Sequence, residues 1–342
     1  MKKYFTLLLI FLAHWASAQE ESLDLQKALS DLEANAAALK IQQKNIDVVK
    51  EQLLASKQNF LPKVGLQYTG LYTNSPLNSF GIKLNQEIVE QADFNPSLLN
   101  NPDGIANFNT NVRVIQPLFN YDAQLAKNAL QNQLESIEFQ STHTLNHLKM
   151  KLKDAYVQLQ LLYATKQVLA QSEEALKTHQ QLIANFVEQG VGKRTDALAI
   201  EVKLKTLDNQ KVTVDKHISQ LSDYVAYLTG GEAVLYKPAT EIDELKPTLM
   251  ADSVEDSRAD FMAFQKGIDA QKVGLEMTKA QNLPRLNAFG EFNLNDASPV
   301  GFGANNYMVG VTLSWQLNLG RQLKSKVANQ QLEIEKSNMM LS

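Results

Sequence analysis

Two hydrophobic periods take turns along this chain. Residues 24–59 repeat with a helical period, rich in Ala, Leu, Gln, Lys and Glu and free of Gly and Pro. Pro62 ends that run, because proline cannot continue an α-helix. From 63 to 73 the period drops to two: Val64, Leu66, Tyr68 and Tyr72 share one face, and Gln67, Thr69 and Thr73 the other. Residues 74–107, rich in Asn, Pro and Ser, read as a loop. Alternation returns at Thr110, Val112 and Val114, opposite Asn109, Asn111 and Arg113, and Pro117 is expected to close that strand.

From Tyr121 to Gln189 there is neither Gly nor Pro over 69 residues, which predicts about 100 Å of helix. Leu148, Ala155, Leu162, Leu169, Leu176 and Ile183 recur every seven residues, with Leu145, Leu152, Leu159 and Val187 interleaved. A strict heptad implies a left-handed coiled coil. Gly190-Val191-Gly192 interrupts it, and Thr195 and Asp196 suit the cap and first turn of a return helix. That helix carries a matching seam of Ile200, Leu204, Leu207, Val214, Ile218, Leu221, Val225 and Leu228, ended by Gly230-Gly231. The pair predicts an antiparallel hairpin with its tip at 190–195. A third helix is expected over 252–282, stopping before Pro284. Strand patterns follow: Leu286, Ala288, Phe292 and Leu294, then Tyr307, Val309, Val311, Leu313 and Trp315. A last helix begins near Arg321.

The order helix, Pro, strand, loop, strand, helix therefore occurs twice. Shifting the chain by 222 residues aligns 43–62 with 265–284, with nine identities that include Asp47/Asp269, Leu53/Leu275 and Pro62/Pro284. Four strands that are apolar on one side cannot close a barrel alone, since small closed barrels need about eight strands. Open strands in lipid would leave backbone groups unpaired. Several chains must then share one barrel: two chains give eight strands, and three give twelve.

Composition narrows the class. Lys2 and Lys3, the apolar run from Tyr4 to Ala13 and Ala16-Ser17-Ala18 read as a secretory signal peptide over 1–18. The net charge of −4 falls to about −6 once Lys2 and Lys3 leave, which makes nucleic acid a poor partner. The absence of Cys excludes disulfide scaffolds, thiolate metal sites, Cys nucleophiles and a lipid anchor on an N-terminal Cys. Gly192-Lys193 lacks the Gly at 187 and the Ser/Thr at 194 of a phosphate loop, because Val187 and Arg194 stand there. His143 and His147 lie one turn apart, but Thr144 replaces the Glu of a catalytic zinc helix and no third ligand is evident. No catalytic constellation stands out, so the expectation is a non-enzyme with no cofactor and no metal. A secreted coiled-coil scaffold or adhesin remains the alternative from a different class.

Several segments carry a family resemblance: Asn59-Phe60-Leu61-Pro62, Gln116-Pro117-Leu118-Phe119-Asn120, the tip from Gln189 to Leu198, and Asp93 to Pro102. In that order, around the duplication, the mature chain from about Leu23 to Ser342 resembles the TolC family of outer membrane efflux proteins. The resemblance implies a mainly α fold with a β-barrel part: long antiparallel coiled-coil helical hairpins plus four membrane β-strands per chain, with a 12-stranded barrel shared in a homotrimer. It implies a passive outer membrane channel of a Gram-negative bacterium, with a periplasmic adaptor (membrane fusion) protein and an inner-membrane pump as partners. A channel serving type I protein secretion is equally compatible.

On this reading the segments are a signal peptide at 1–18, an N-terminal helix at 19–62 and a first strand pair with a long extracellular loop at 63–117. A periplasmic hairpin follows at 118–231 and an equatorial linker at 232–251. The second repeat supplies a helix at 252–284, a strand pair at 285–317 and an incomplete long helix at 318–342. The resemblance makes Gly190, Val191, Gly192, Lys193, Arg194, Thr195, Asp196 and Leu198 the adaptor-binding tip. It turns Val64, Leu66, Tyr68, Val112, Val114, Leu286, Phe292, Val309, Val311, Leu313 and Trp315 toward outer membrane lipid. The chain stops about 20 residues into its last helix, so a truncated sequence is expected.

Overall fold

The computed structural model describes residues 20–241, 257–316 and 321–341; the expected signal peptide, half of the linker and the first residues of the third helix lie outside them. In chain order the elements are β1 (Glu21–Leu23), α1 (Leu25–Asn35), α2 (Ala37–Lys57), β2 (Lys63–Thr73), α3 (Pro76–Asn85), α4 (Pro96–Asn100), β3 (Ile105–Phe119), α5 (Tyr121–Glu188), α6 (Arg194–Thr229), β4 (Tyr236–Pro238), α7 (Ala259–Ala280), β5 (Arg285–Asp296), β6 (Ala304–Ser314) and α8 (Arg321–Leu341). They form two compact units, Met1–Ile46 with Ile137–Met262, and Asp47–Ser136 with Ala263–Ser342.

The first unit is built on the α5–α6 hairpin. Its core joins Leu152, Ala155, Tyr156 and Leu159 of α5 to Val214, Ile218, Val225 and Leu228 of α6, with Ala28 and Leu32 of α1 packed between them. Leu32, Leu152, Leu159 and Val225 are fully buried. The heptad seam thus becomes the core because seven-residue spacing returns each apolar side chain to one stripe of the helix. Ion pairs flank the stripe: Lys166 with Asp215 at 2.8 Å, and Lys149 with Glu33 at 2.5 Å.

Sequence periodicity missed two features of this unit. Residues 24–59 do not form one helix: α1 ends at Ala36, whose ψ of 122° leaves the helical region, and α2 starts immediately after. Nothing in Ala34-Asn35-Ala36-Ala37 marks this break. It lies where Gly230 presses against Asn35, so a contact distant in sequence overrides a favourable local propensity. Moreover, β1 and β4 pair in parallel, Glu21 opposite Tyr236. Three-residue strands are too short to display a period.

The second unit is a four-stranded antiparallel sheet in the order β2-β3-β5-β6, with α3 and α4 in the β2–β3 connection. The loop expected at 74–107 is therefore largely structured. Pro76 and Pro96 open helices because a missing N–H costs nothing at the first helical position, and Asn95 caps α4 by accepting from Ser97 N at 3.0 Å. Pro117 does not close β3: the strand continues to Phe119, and a register shift between Pro117 and Phe119 absorbs the proline.

Candidate functional site

Direct cross-strand partners share a face of a sheet, so register assigns each residue to a side. One row runs Val64, Val114, Gly290, Val309, and the next Leu66, Val112, Phe292, Tyr307. Ala288 with Val311 and Leu286 with Leu313 continue the same side. This apolar face is open: Leu66 is 75% exposed and Val309 74%. Val64, Tyr68, Val114, Phe292, Val311 and Leu313 are exposed too, while Val112 and Leu286 are half-buried among neighbouring strands. Ten of the eleven strand residues named from the sequence are brought together here. Trp315 is the exception. It lies one residue beyond β6, exposed, with its indole Nε1 donating to Asn282 O at 2.8 Å.

The opposite face is a ladder of amides. Asn111 Nδ2 donates to Asn293 Oδ1 at 2.8 Å, Asn109 and Asn107 donate to Asn295 Oδ1 at 3.1 Å each, and Asn293 donates to Asn306 Oδ1 at 3.1 Å. Arg113 and Glu291, at 3.0 Å, neutralise each other on this side. Alternation by itself does not identify the ladder as a unit, although Asn at every second position of 107–111 and 293–295 carries its signal. Both outer edges of the sheet, along β2 and β6, have no strand partner among the described residues.

The residues named at the tip also come together: Gly190, Val191, Gly192 and Lys193 lie in the five-residue reversal between α5 and α6, and Arg194, Thr195, Asp196 and Leu198 in the first turns of α6. Gly190 has a φ of 75°. Val191 N donates to Phe186 O at 3.0 Å and Gly190 N to Val187 O at 3.1 Å, the Schellman pairing that satisfies the last carbonyls of a helix. Thr195 is not the cap: Lys193 holds the extended cap conformation and Thr195 is already helical, with Asp196 in the first turn. Val191, Lys193, Arg194, Thr195, Asp196 and Leu198 are all exposed.

Above the tip, Glu173 joins the two helices. It pairs with Lys177 at 2.6 Å and with Lys211 of α6. Hydrogen bonds from Lys177 and Lys211 hold its carboxyl at a pKa of about 2. His143 and His147 stack with ring centroids 6.3 Å apart, and among the described residues no group of three or more His, Cys, Asp or Glu is placed to hold a metal. Among the same residues, no helix is long and apolar enough to cross a membrane.

No protein-family model matches the sequence, and no curated protein matches it. Solved structures do. The chain is similar to CusC, a protein described with its transmembrane channel formation, at a TM-score of 0.77 and 10% identity over 95% of this chain and 75% of that one. The CmeC outer membrane channel of Campylobacter jejuni superposes at 0.76 with 14% identity, over 96% and 71% of the two chains. The outer membrane protein VceC of Vibrio cholerae superposes at 0.72 with 13% identity, over 93% and 74%. With its long helical hairpin, its duplicated strand pairs and these structural neighbours, the chain has the TolC-like fold of outer membrane channel proteins.

Proposed function

We propose that this protein is an outer membrane export channel, trimeric, passively conducting substrates delivered by an inner-membrane pump through a periplasmic adaptor. The carrying observation is the sheet: an exposed apolar face, an amide-lined polar face and two unpaired edges. In the order β2-β3-β5-β6 all neighbours run antiparallel, so β6 of one copy meets β2 of the next in the antiparallel sense too. Cyclic closure then pairs every edge, as lipid demands. Three copies supply twelve strands, with the apolar face toward lipid and the amides toward the lumen.

On this reading the exposed tip from Gly190 to Leu198 is the adaptor contact, with Val191 and Leu198 as its apolar elements. The experiment is reconstitution of the full-length protein. A detergent-extracted, heat-modifiable trimer with discrete conductance in planar bilayers is the expected result. A chain soluble in the periplasm and silent in bilayers overturns the proposal. Separately, Val191→Asp is expected to weaken adaptor cross-linking in cells without loss of the trimer, and unchanged cross-linking removes the tip assignment.

A further inference from the structure

The β2–β3 connection does not project away from the sheet; it folds down onto the amide face. Gln86, buried at the end of α3, donates through Nε2 to Asn107 Oδ1 at 2.8 Å and to Ala106 O at 2.9 Å. Ser79, about two turns earlier, donates to Thr73 O at 3.3 Å. The residues at that end of the polar face are buried in consequence: Asn107, Asn295 and Ala304 are each less than 7% exposed. So α3 lies across the polar side of the sheet, with Ser79, Ile82 and Gln86 facing it.

The other side of α3 is an apolar seam without a partner among the described residues. Leu77, Gly81 and Leu84 follow one another at steps of four and three, the spacing of one helical stripe. Leu77 is 82% and Leu84 53% exposed, and a Cβ at Gly81 would meet nothing within 4 Å. Ile88 joins this exposed set through a strained turn. Glu87, with a φ of 58°, is the one non-glycine residue with positive φ among those described, and it lets Ile88 N bond back to Lys83 O at 3.0 Å. Strain of this kind persists only where surrounding structure enforces it. The segment is also braced internally, by Lys83 with Asp93 at 2.6 Å and by the edge-to-face contact of Phe80 with Phe94. This is a built element rather than a slack loop.

We infer that α3 is an outer gate: three copies of its Leu77–Gly81–Leu84 seam meet on the channel axis and close the lumen at the end of the barrel that carries the strand hairpins. The inference rests on the trimeric channel reading, which turns the amide face inward. Dimensions support it. A twelve-stranded barrel with strands about 4.8 Å apart and tilted by about 40° is about 24 Å across its backbone. The wall's inward side chains narrow that width further, and three helices about 10 Å wide in mutual contact already need a circle of about 22 Å. Helices that reach inward from the wall at the barrel end therefore meet one another. Gly81 permits their close approach, and burial of the Leu seam supplies the driving force.

The chain contains no Cys, so single-cysteine variants of the full-length protein give a direct test. Leu84→Cys is expected to form an interchain disulfide on oxidation, which needs Cβ atoms about 3.5–4.5 Å apart. With three thiols around one axis only one pair can form, so the product is a dimer holding at most two of every three chains. Ser79→Cys, facing the sheet, is the negative control, and Leu77→Cys is the second site should Leu84→Cys fail to assemble. Cross-linking at 84 or 77 but not at 79, within a trimer sized by light scattering, supports the gate. A trimer without those cross-links, or with equal cross-linking at 79, overturns it while leaving the channel intact. No trimer at all overturns the channel reading and the gate together.

Discussion

Gly190 and Gly230 have nearly the same backbone, with φ of 75° and 69°, and opposite surroundings. A Cβ at Gly190 would meet nothing within 4 Å. Gly190→Ala therefore costs only the left-handed strain of an L-residue, about 1–2 kcal/mol. A Cβ at Gly230 would sit 3.0 Å from Asn35 Cβ and 3.2 Å from Asn35 O, at the break between α1 and α2. Overpacking of that kind adds about 1–3 kcal/mol, so Gly230→Ala should cost roughly 2–5 kcal/mol in all. Hydrogen exchange by mass spectrometry on the detergent-solubilised protein reads each site locally. The reporters are Val191 N–H, bonded to Phe186 O, and Gly231 N–H, bonded to Ala226 O. Gly190→Ala should speed exchange at the tip about 5- to 30-fold, the factor that corresponds to 1–2 kcal/mol, with little change in the melting of helical circular dichroism. Gly230→Ala should lower the melting temperature as well. Equal effects of the two variants would show that Asn35 contributes nothing. No acceleration at the tip in Gly190→Ala would refute the left-handed turn there.

Three further outcomes are expected. Glu173 has a folded pKa of about 2 against 4.5 unperturbed, so its contribution is present above pH 4.5 and is lost as pH falls toward 2; Glu173→Gln should flatten the acid-unfolding curve in that window, and an unchanged curve would remove the bridge from the hairpin's stability. Asn295→Ala removes the acceptor of the Asn107 amide, while Asn109 keeps Asn293 Oδ1; about 1–3 kcal/mol for the one orphaned group should lower the temperature at which the trimer band dissociates, a shift absent if the ladder is solvated. Leu66→Arg places a cation on the exposed apolar face and should cost about 2–4 kcal/mol if that side faces mid-bilayer, seen as reduced outer membrane assembly; normal assembly would argue against lipid contact.

By itself, the sequence determined the elements whose period is long and regular. The heptad seam specified the hairpin core from Leu145 to Leu169, because seven-residue spacing returns apolar side chains to one stripe of a paired helix. The alternation in 63–73 and 285–315 specified a sheet with one apolar side, because the pleat has period two. Gly190 and Gly230 marked the turns. Tertiary structure alone decided what depends on partners distant in the chain. The break at Ala36 is set against Gly230. The extension of β3 past Pro117 is decided by its register with β5. The amide ladder exists only once Asn107 and Asn111 are brought, some 180 residues across the chain, to Asn295 and Asn293. The placement of α3 on the polar face follows from Gln86 finding Asn107. Local patterns encode which face of an element is apolar; which element that face meets is fixed only when the chain has folded and distant polar groups must satisfy one another away from water.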